Sequence, residues 1–342
     1  MRRRAAALLV LILSTAYAGP AAQAAVDEST PGVTLACRFS DPRLVEISGI
    51  TWSHRHPGVY WVHNDSGGGP YLYAVDGHTC RTLARVRIGN IGARDMEAIA
   101  TGTDPRGRAV LWVGDIGDNR SSWPSVRLHA VVEPARLVDQ QVDAETYRFT
   151  YPHGPTNAEG LLADPGAARV WVVTKEIVDG GVYRVPLSTS SVSTARKVAS
   201  VGSLVTDAAM APDGRHYVIR DYLQAWQYDA PVGAASIANG VRIDLPGQPQ
   251  GEAITYTDDG AALLVASERD TALWRVALPG TTSPSPSSST PTSAPSRSPS
   301  SSPSALPAPD AGATSPLGWV LAALAAAAAG VVVVLGSRRL RG

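Results

Sequence analysis

Five times along the chain a polar residue is followed by a small one and then by an apolar one. The triplets are Ser48-Gly49-Ile50, Glu97-Ala98-Ile99, Glu159-Gly160-Leu161, Asp207-Ala208-Ala209 and Glu252-Ala253-Ile254. A turn with glycine follows each, at His56-Pro57-Gly58, Asp104-Pro105-Arg106-Gly107, Asp164-Pro165-Gly166, Asp213-Gly214 and Asp259-Gly260. Such turns between β-rich runs mark hairpins. Next comes an apolar run: Val59–Val62, Val110–Val113, Val170–Val173, Tyr217–Ile219 and Leu263–Ala266. Third strands read at Tyr71–Val75, Val182–Val185 and Leu273–Val276, and more polar fourth strands at Arg81–Ile88, Glu145–Tyr151, Ala195–Val201 and Val241–Leu245.

The repeats begin 49, 62, 48 and 45 residues apart. Four short strands at that period are the signature of a propeller blade, so residues 25–280 are expected to form an all-β, five-bladed β-propeller. The last repeat stops at Leu278 after three strands, and Val33-Thr34-Leu35-Ala36-Cys37 is a spare strand that can complete it. Closing the ring from both chain ends removes an exposed sheet edge. A six-bladed ring would need a blade inside the long second repeat, whose extra length around 120–125 and 134–144 reads as loops. Unrelated β-sandwiches are the other alternative.

Hydropathy changes character outside the repeats. Arg2-Arg3-Arg4, a short apolar run from Ala5 to Leu13 and Ala22-Gln23-Ala24 make residues 1–24 a signal peptide. Leu317 to Leu335 is apolar and uncharged, and Arg338-Arg339-Leu340-Arg341 follows it. Nineteen helical residues reach about 28 Å, so 317–335 is expected to span the membrane once. The basic tail, 336–342, then faces the cytoplasm and the N-terminal domain faces outward. Residues 281–316 are almost wholly Ser, Pro, Thr and Ala, the composition of an extended stalk that at about 3.1 Å per residue spans roughly 100 Å. Leu306-Pro307-Ala308-Pro309-Asp310 lacks the Thr-Gly of a sortase signal, which makes covalent wall attachment the lesser reading.

The formal net charge is zero, which argues against a nucleic-acid partner. Cys37 and Cys80, the two cysteines, fall in the exported part, where a disulfide is the default expectation.

In a blade the first strand is innermost and antiparallel to the second, so its start lies beside the second strand's end. Both positions are polar here. The first-strand set, Ser48, Glu97, Glu159, Asp207 and Glu252, would converge on the axis. The second-strand set forms a rim: His63, Asn64 and Asp65; Asp115, Asp118 and Asn119; Lys175 and Glu176; Arg220 and Asp221; Ser267 and Glu268. At an effective dielectric near 20, two like charges 4 Å apart cost about 4 kcal/mol. The acids must therefore hold protons, pair with bases or bind a cation. Several flexible oxygen donors suit Ca²⁺, making the first-strand set a candidate calcium site. The alternative is a water-filled channel neutralised by Arg94, Lys175 and Arg220.

Asp115-Ile116-Gly117-Asp118-Asn119 misses the EF-hand spacing and reads better as a turn bonded to its own backbone. No G-x-S-x-G, H-E-x-x-H, P-loop or C-x-x-C sequence occurs. Asp65 and Glu268 are the candidate catalytic acids if the chain is an enzyme.

Glu46-Ile47-Ser48-Gly49-Ile50, His63-Asn64-Asp65-Ser66-Gly67, Asp95-Met96-Glu97-Ala98-Ile99, Asn157-Ala158-Glu159-Gly160-Leu161 and Gln250-Gly251-Glu252-Ala253-Ile254 resemble landmarks of bacterial secreted propellers of the SdiA-regulated or esterase-like phytase-domain type. The first-strand set also resembles the axial calcium ligands of five-bladed calcium-activated nucleotidases, the apyrases. These resemblances imply a propeller, and the second implies calcium and nucleotide hydrolysis. The expected function is a surface-tethered propeller that binds an extracellular ligand at its polar rim. A calcium-dependent phosphohydrolase of nucleotides or phytate-like esters and a structural adhesin are the alternatives.

Overall fold

The computed structural model describes residues 30–65 and 68–279. The chain enters as β1 (Val33–Arg38) and then builds one sheet per repeat. Blade 1 contains β2 (Ile47–Trp52), β3 (Val59–Asn64), β4 (Tyr71–Asp76) and β5 (Thr82–Ile88). Blade 2 contains β6 (Met96–Thr103), β7 (Ala109–Asp115) and β8 (Val126–Val132), then, after the short β9 (Gln140–Val142), β10 (Ala144–Thr150). Blade 3 contains β11 (Ala158–Ala163), β12 (Val170–Thr174) and β13 (Gly181–Val185), then, after β14 (Ser193–Thr194), β15 (Arg196–Ser200). Blade 4 contains β16 (Val205–Met210), β17 (His216–Asp221) and β18 (Gln224–Asp229), one helical turn α1 (Ala234–Ile237) and β19 (Val241–Asp244). Blade 5 contains β20 (Gln250–Tyr256), β21 (Ala262–Glu268) and β22 (Ala272–Ala277), with β1 antiparallel to β22 as its fourth strand. The architecture is a five-bladed β-propeller.

The innermost strands touch in the cyclic order β2, β6, β11, β16, β20 and back to β2. Each interface between neighbouring blades holds its own apolar core, five in all among the described residues. The second strands explain this. In Val59-Tyr60-Trp61-Val62, Tyr60 and Val62 turn toward blade 5 while Val59 and Trp61 turn toward blade 2. A strand packed on both faces needs a continuous apolar run, and successive residues serve opposite faces. Trp61, Trp112 and Trp274 are among the largest fully buried side chains, each in a different interface. Truncating an aromatic in such a core costs about 3–5 kcal/mol.

The long second repeat is not purely loop. Within it, β9 pairs in parallel with β5, adding a fifth strand to blade 1. In the same manner β14 reaches back to β10 of blade 2, and α1 leans on β15 of blade 3. These connections cover edges that would otherwise present unpaired backbone groups. Cys37 of β1 and Cys80, in the turn between β4 and β5, form a disulfide that joins blade 5 to blade 1 where the ring closes. Among the described residues no helix is long and apolar enough to cross a membrane. The signal peptide, stalk, membrane span and basic tail fall outside the described residues, as do Ser66 and Gly67.

Candidate functional site

In every blade the first and second strands slip register by one residue near the same rim. Ile47 faces Asn64 but Gly49 faces His63, which leaves Ser48 as the extra residue of a bulge. The same slip isolates Glu97, Glu159 and Glu252. A bulge of this kind re-aims one side chain, and here it repeats at the inner end of each blade. All four residues are buried. In blade 4 the extra residue is Thr206, because Val205 faces Asp221 and Asp207 faces Arg220. Asp207 thus stands one position further along than its expected counterparts. Its Oδ2 accepts from the Ile254 N–H at 2.8 Å and its Oδ1 from the Ala208 N–H at 2.7 Å. Burial keeps this carboxyl well above its ordinary value, against the pull of those two N–H groups and of Arg220.

Around the axis the bulge residues meet groups from the second strands and from the loops. Ser48 Oγ donates to the Glu97 carbonyl at 3.1 Å. Lys175 Nζ lies 2.7 Å from Glu159 Oε1, 2.6 Å from Oε2 and 2.6 Å from the Tyr222 hydroxyl. Tyr222 donates onward to Glu252 Oε1 at 3.5 Å, and Gln250 Nε2 donates to the same oxygen at 2.9 Å. Oxygens of Asp65, Asp95 and Glu97 all lie within 4.8 Å of one another. The Gly117 backbone passes so close that a Cβ there would overlap Glu97 Oε1 and Asp95 Oδ2.

The electrostatics follow from this crowding. Burial first, then the charges of Glu159, Asp65, Asp95 and Glu252, push the Glu97 carboxyl up to about 10. Burial raises Glu159 to about 7, held there against the opposing pull of Lys175. Burial and Glu252 push Glu268 up to about 8. Burial disfavours the charge on Lys175, but Glu159 and the Tyr222 hydroxyl carry its ammonium above its ordinary value. Protons or a cation must offset the charge of such a cluster.

The other rim residues serve the scaffold. His63 is buried with Nδ1 2.9 Å from the Asn64 carbonyl, its ring packed on Gly49 where no Cβ would fit. Burial lowers its pKa. Asn64 Nδ2 donates to the Arg43 carbonyl at 2.6 Å. Asp115 accepts from the N–H groups of Arg94 and Asp95 at 3.0 and 2.8 Å, and from Arg94 Nε at 3.3 Å. Burial works against its charge, yet His129 beside it and those two N–H groups hold the carboxyl down at about 2. Arg94 also lies over the Trp123 ring, 3.9 Å from its centroid, rather than neutralising the axis. Asp118 caps the N–H groups of Ser122 and Trp123, a turn bonded to its own backbone. Asn119 accepts from Asn157 Nδ2 at 3.0 Å.

Arg220 is fully buried and donates to the carbonyls of Ala253 and Asp221 and to Gln248 Oε1. Asp221 caps Leu223 and Gln224 and accepts from Ser203 Oγ, while Glu176 forms a single bridge with Ser203. The structure therefore gathers Asp65, Glu97, Lys175, Glu159, Glu252 and Glu268 and sends Arg94, Asp115, Asp118, Asn119, Glu176, Asp207, Arg220 and Asp221 elsewhere. Sequence reasoning passed over Thr206 and Tyr222, and named Asp95 and Gln250 only within the landmark runs, not as site residues. Asp95 and Gln250 each precede a bulge glutamate by two residues, a signal that could have found them. No spacing marks Tyr222.

No protein-family model matches the chain, and no curated protein matches it. The arrangement can hold a cation through all-oxygen donors, the donor set that suits Ca²⁺, Mg²⁺ or Mn²⁺ rather than zinc.

Proposed function

We infer that this chain is an extracellular ligand-binding propeller whose rim works through a divalent cation held at its acid cluster. The supporting observation is the approach of Asp65, Asp95 and Glu97 oxygens to within 4.8 Å, with Glu159, Glu252 and Glu268 felt electrostatically by the same group of acids. Calcium is the natural occupant, since its flexible six- to eightfold oxygen coordination tolerates irregular donors. Asp65, Asp95 and Glu97 would supply carboxylate oxygens, and the Ser48 hydroxyl lies against Glu97. The bound ion would keep open positions toward solvent for an anionic or carbonyl group of the ligand. The expected display on a stalk above a membrane fits a binding role, because it lifts the rim away from the cell surface.

The alternative phosphohydrolase would use Asp65 or Glu268 to orient water and Arg94, Lys175 or Arg220 to meet phosphate. Arg94 and Arg220 are turned to protein partners, and Lys175 is locked to Glu159, which favours binding over turnover. Thermal unfolding of the purified chain with calcium and with chelator tests the reading, alongside phosphate release from nucleoside diphosphates and phytate. A rise in Tm with calcium and no phosphate release is the expected result. Equal Tm in both conditions sinks the cation, and calcium-dependent phosphate release replaces binding with hydrolysis.

A further inference from the structure

We propose that Lys175 is a built-in stand-in for a second cation: its ammonium fills the Glu159–Glu252 side of the axial cluster and confines any divalent ion to the Asp65–Asp95–Glu97 side. The inference rests on the metal reading above and deepens it. Five-fold repetition alone would place a cation on the axis, shared by all the bulge glutamates. The side chains are not arranged that way. Lys175 Nζ contacts both oxygens of Glu159, at 2.7 and 2.6 Å, and the Tyr222 hydroxyl at 2.6 Å. Through Tyr222 it is linked to Glu252, whose Oε1 also takes a hydrogen bond from Gln250. Glu159 and Glu252 are thus supplied with donors from within the protein.

Glu97 takes a hydrogen bond from Ser48 Oγ at 3.4 Å and lies against Asp65 and Asp95. Among the described residues, the ligand atoms close enough for one ion are those of Asp65, Asp95 and Glu97. The backbone at Gly117 passes against Glu97 and Asp95. Two like-charged cations on neighbouring carboxylates repel each other, so an ammonium fixed at Glu159 excludes a divalent ion there and leaves the other side as the favourable place. Tyr222 is then a positioning residue: its hydroxyl accepts from Lys175 and holds the ammonium against Glu159. Lysine suits this task because its charge is compact and its three donors can each be satisfied.

Calorimetric titration of the full chain with calcium tests the idea through stoichiometry. The chain should bind one ion, Lys175→Met should bind two, and Lys175→Arg, which keeps the charge, should bind one. If Lys175→Met also binds one, the inference is overturned and the metal reading stands. If the unaltered chain binds none while Lys175→Met binds one, the stand-in role holds and the native metal reading falls. No binding by either removes both. Should Lys175→Met fail to fold, the anomalous signal of Mn²⁺ in crystals of the unaltered protein decides the matter. An ion coordinated by Glu97 and clear of Glu159 is expected, and one bound to Glu159 with Lys175 displaced overturns the proposal.

Discussion

Closing a propeller with a strand from each chain end makes one blade depend on contacts between residues far apart in sequence, and here a disulfide secures that closure. Cys37 and Cys80 are 43 residues apart. Cross-linking a loop of that length removes about 4 kcal/mol of chain entropy from the unfolded state at 25 °C in the loop-closure treatment. Cys37→Ser breaks the bond while leaving the buried Cys80 side chain in place, so no cavity adds to the effect. For a domain of this size about 4 kcal/mol corresponds to a fall in Tm of roughly 8–16 °C. Urea titration of the unaltered chain and of Cys37→Ser should give that difference together with a steeper denaturant slope, because the unfolded chain without its cross-link expands and exposes more surface. Hydrogen exchange should localise it, since β1 pairs with β22 from Val33 to Arg38 and would be released before any inner strand. A loss below about 1 kcal/mol, or β1 amides as protected as those of β20 after the substitution, would refute the idea that the bond secures the closure.

Two further outcomes follow from the acid cluster. In chelator, stability should fall as pH rises from about 5.5 to 8. Glu159, Glu268 and Glu97 keep protons in the fold up to about 7, 8 and 10, whereas in the unfolded chain they release them near their ordinary value of 4.5. The native state therefore binds more protons across that interval, each worth about 1.4 kcal/mol per pH unit, so the stabilisation is complete below 4.5 and is lost on the way up. A Tm measured in chelator that climbs between pH 5.5 and 8 would contradict this. Gly117→Ala should leave urea stability within about 1 kcal/mol, because the atoms it meets are the ends of side chains that can swing aside. Moving Glu97 and Asp95 should nevertheless cut the calcium-induced rise in Tm, and an unchanged rise would mean that these carboxylates do not hold the ion.

The fold was legible because its signals repeat. Five turns, five apolar runs such as Val170–Val173, and the spare strand from Val33 to Cys37 mark the blades without reference to long-range contacts. The site was legible only in part. Ser48, Glu97, Glu159 and Glu252 stand at bulges, and periodicity finds them. Thr206 was missed because Asp207, the more conspicuous residue, stands beside it. A one-residue slip turns a side chain to a different face, and the charge of a residue says nothing about that slip. Arg94, Arg220 and Lys175 carry the same charge in the sequence, yet of the three it is Lys175 that forms an ion pair with a bulge glutamate. What separates them is where each finds its partners: Trp123 and Asp115 for Arg94, and the carbonyls of Ala253 and Asp221 for Arg220. Apart from the adjacent Asp221, those partners stand 20 or more residues away along the chain, beyond the reach of local pattern.

The slip in blade 4 has consequences for the whole rim. With Thr206 at the bulge, blades 1 and 4 bring hydroxyls to the axis and blades 2, 3 and 5 bring glutamates. The remaining acids of the cluster, Asp65, Asp95 and Glu268, belong to the ends of blades 1, 2 and 5. Lys175 and the buried Arg220 both come from blades 3 and 4. The acids are therefore unevenly spread around the ring, and the glutamate of blade 3 is the one paired with an ammonium. A divalent ion at Asp65, Asp95 and Glu97 would offset most of the charge of those three carboxyls. Fold symmetry sets the ring, and the slip at Thr206 breaks the symmetry of the acids within it.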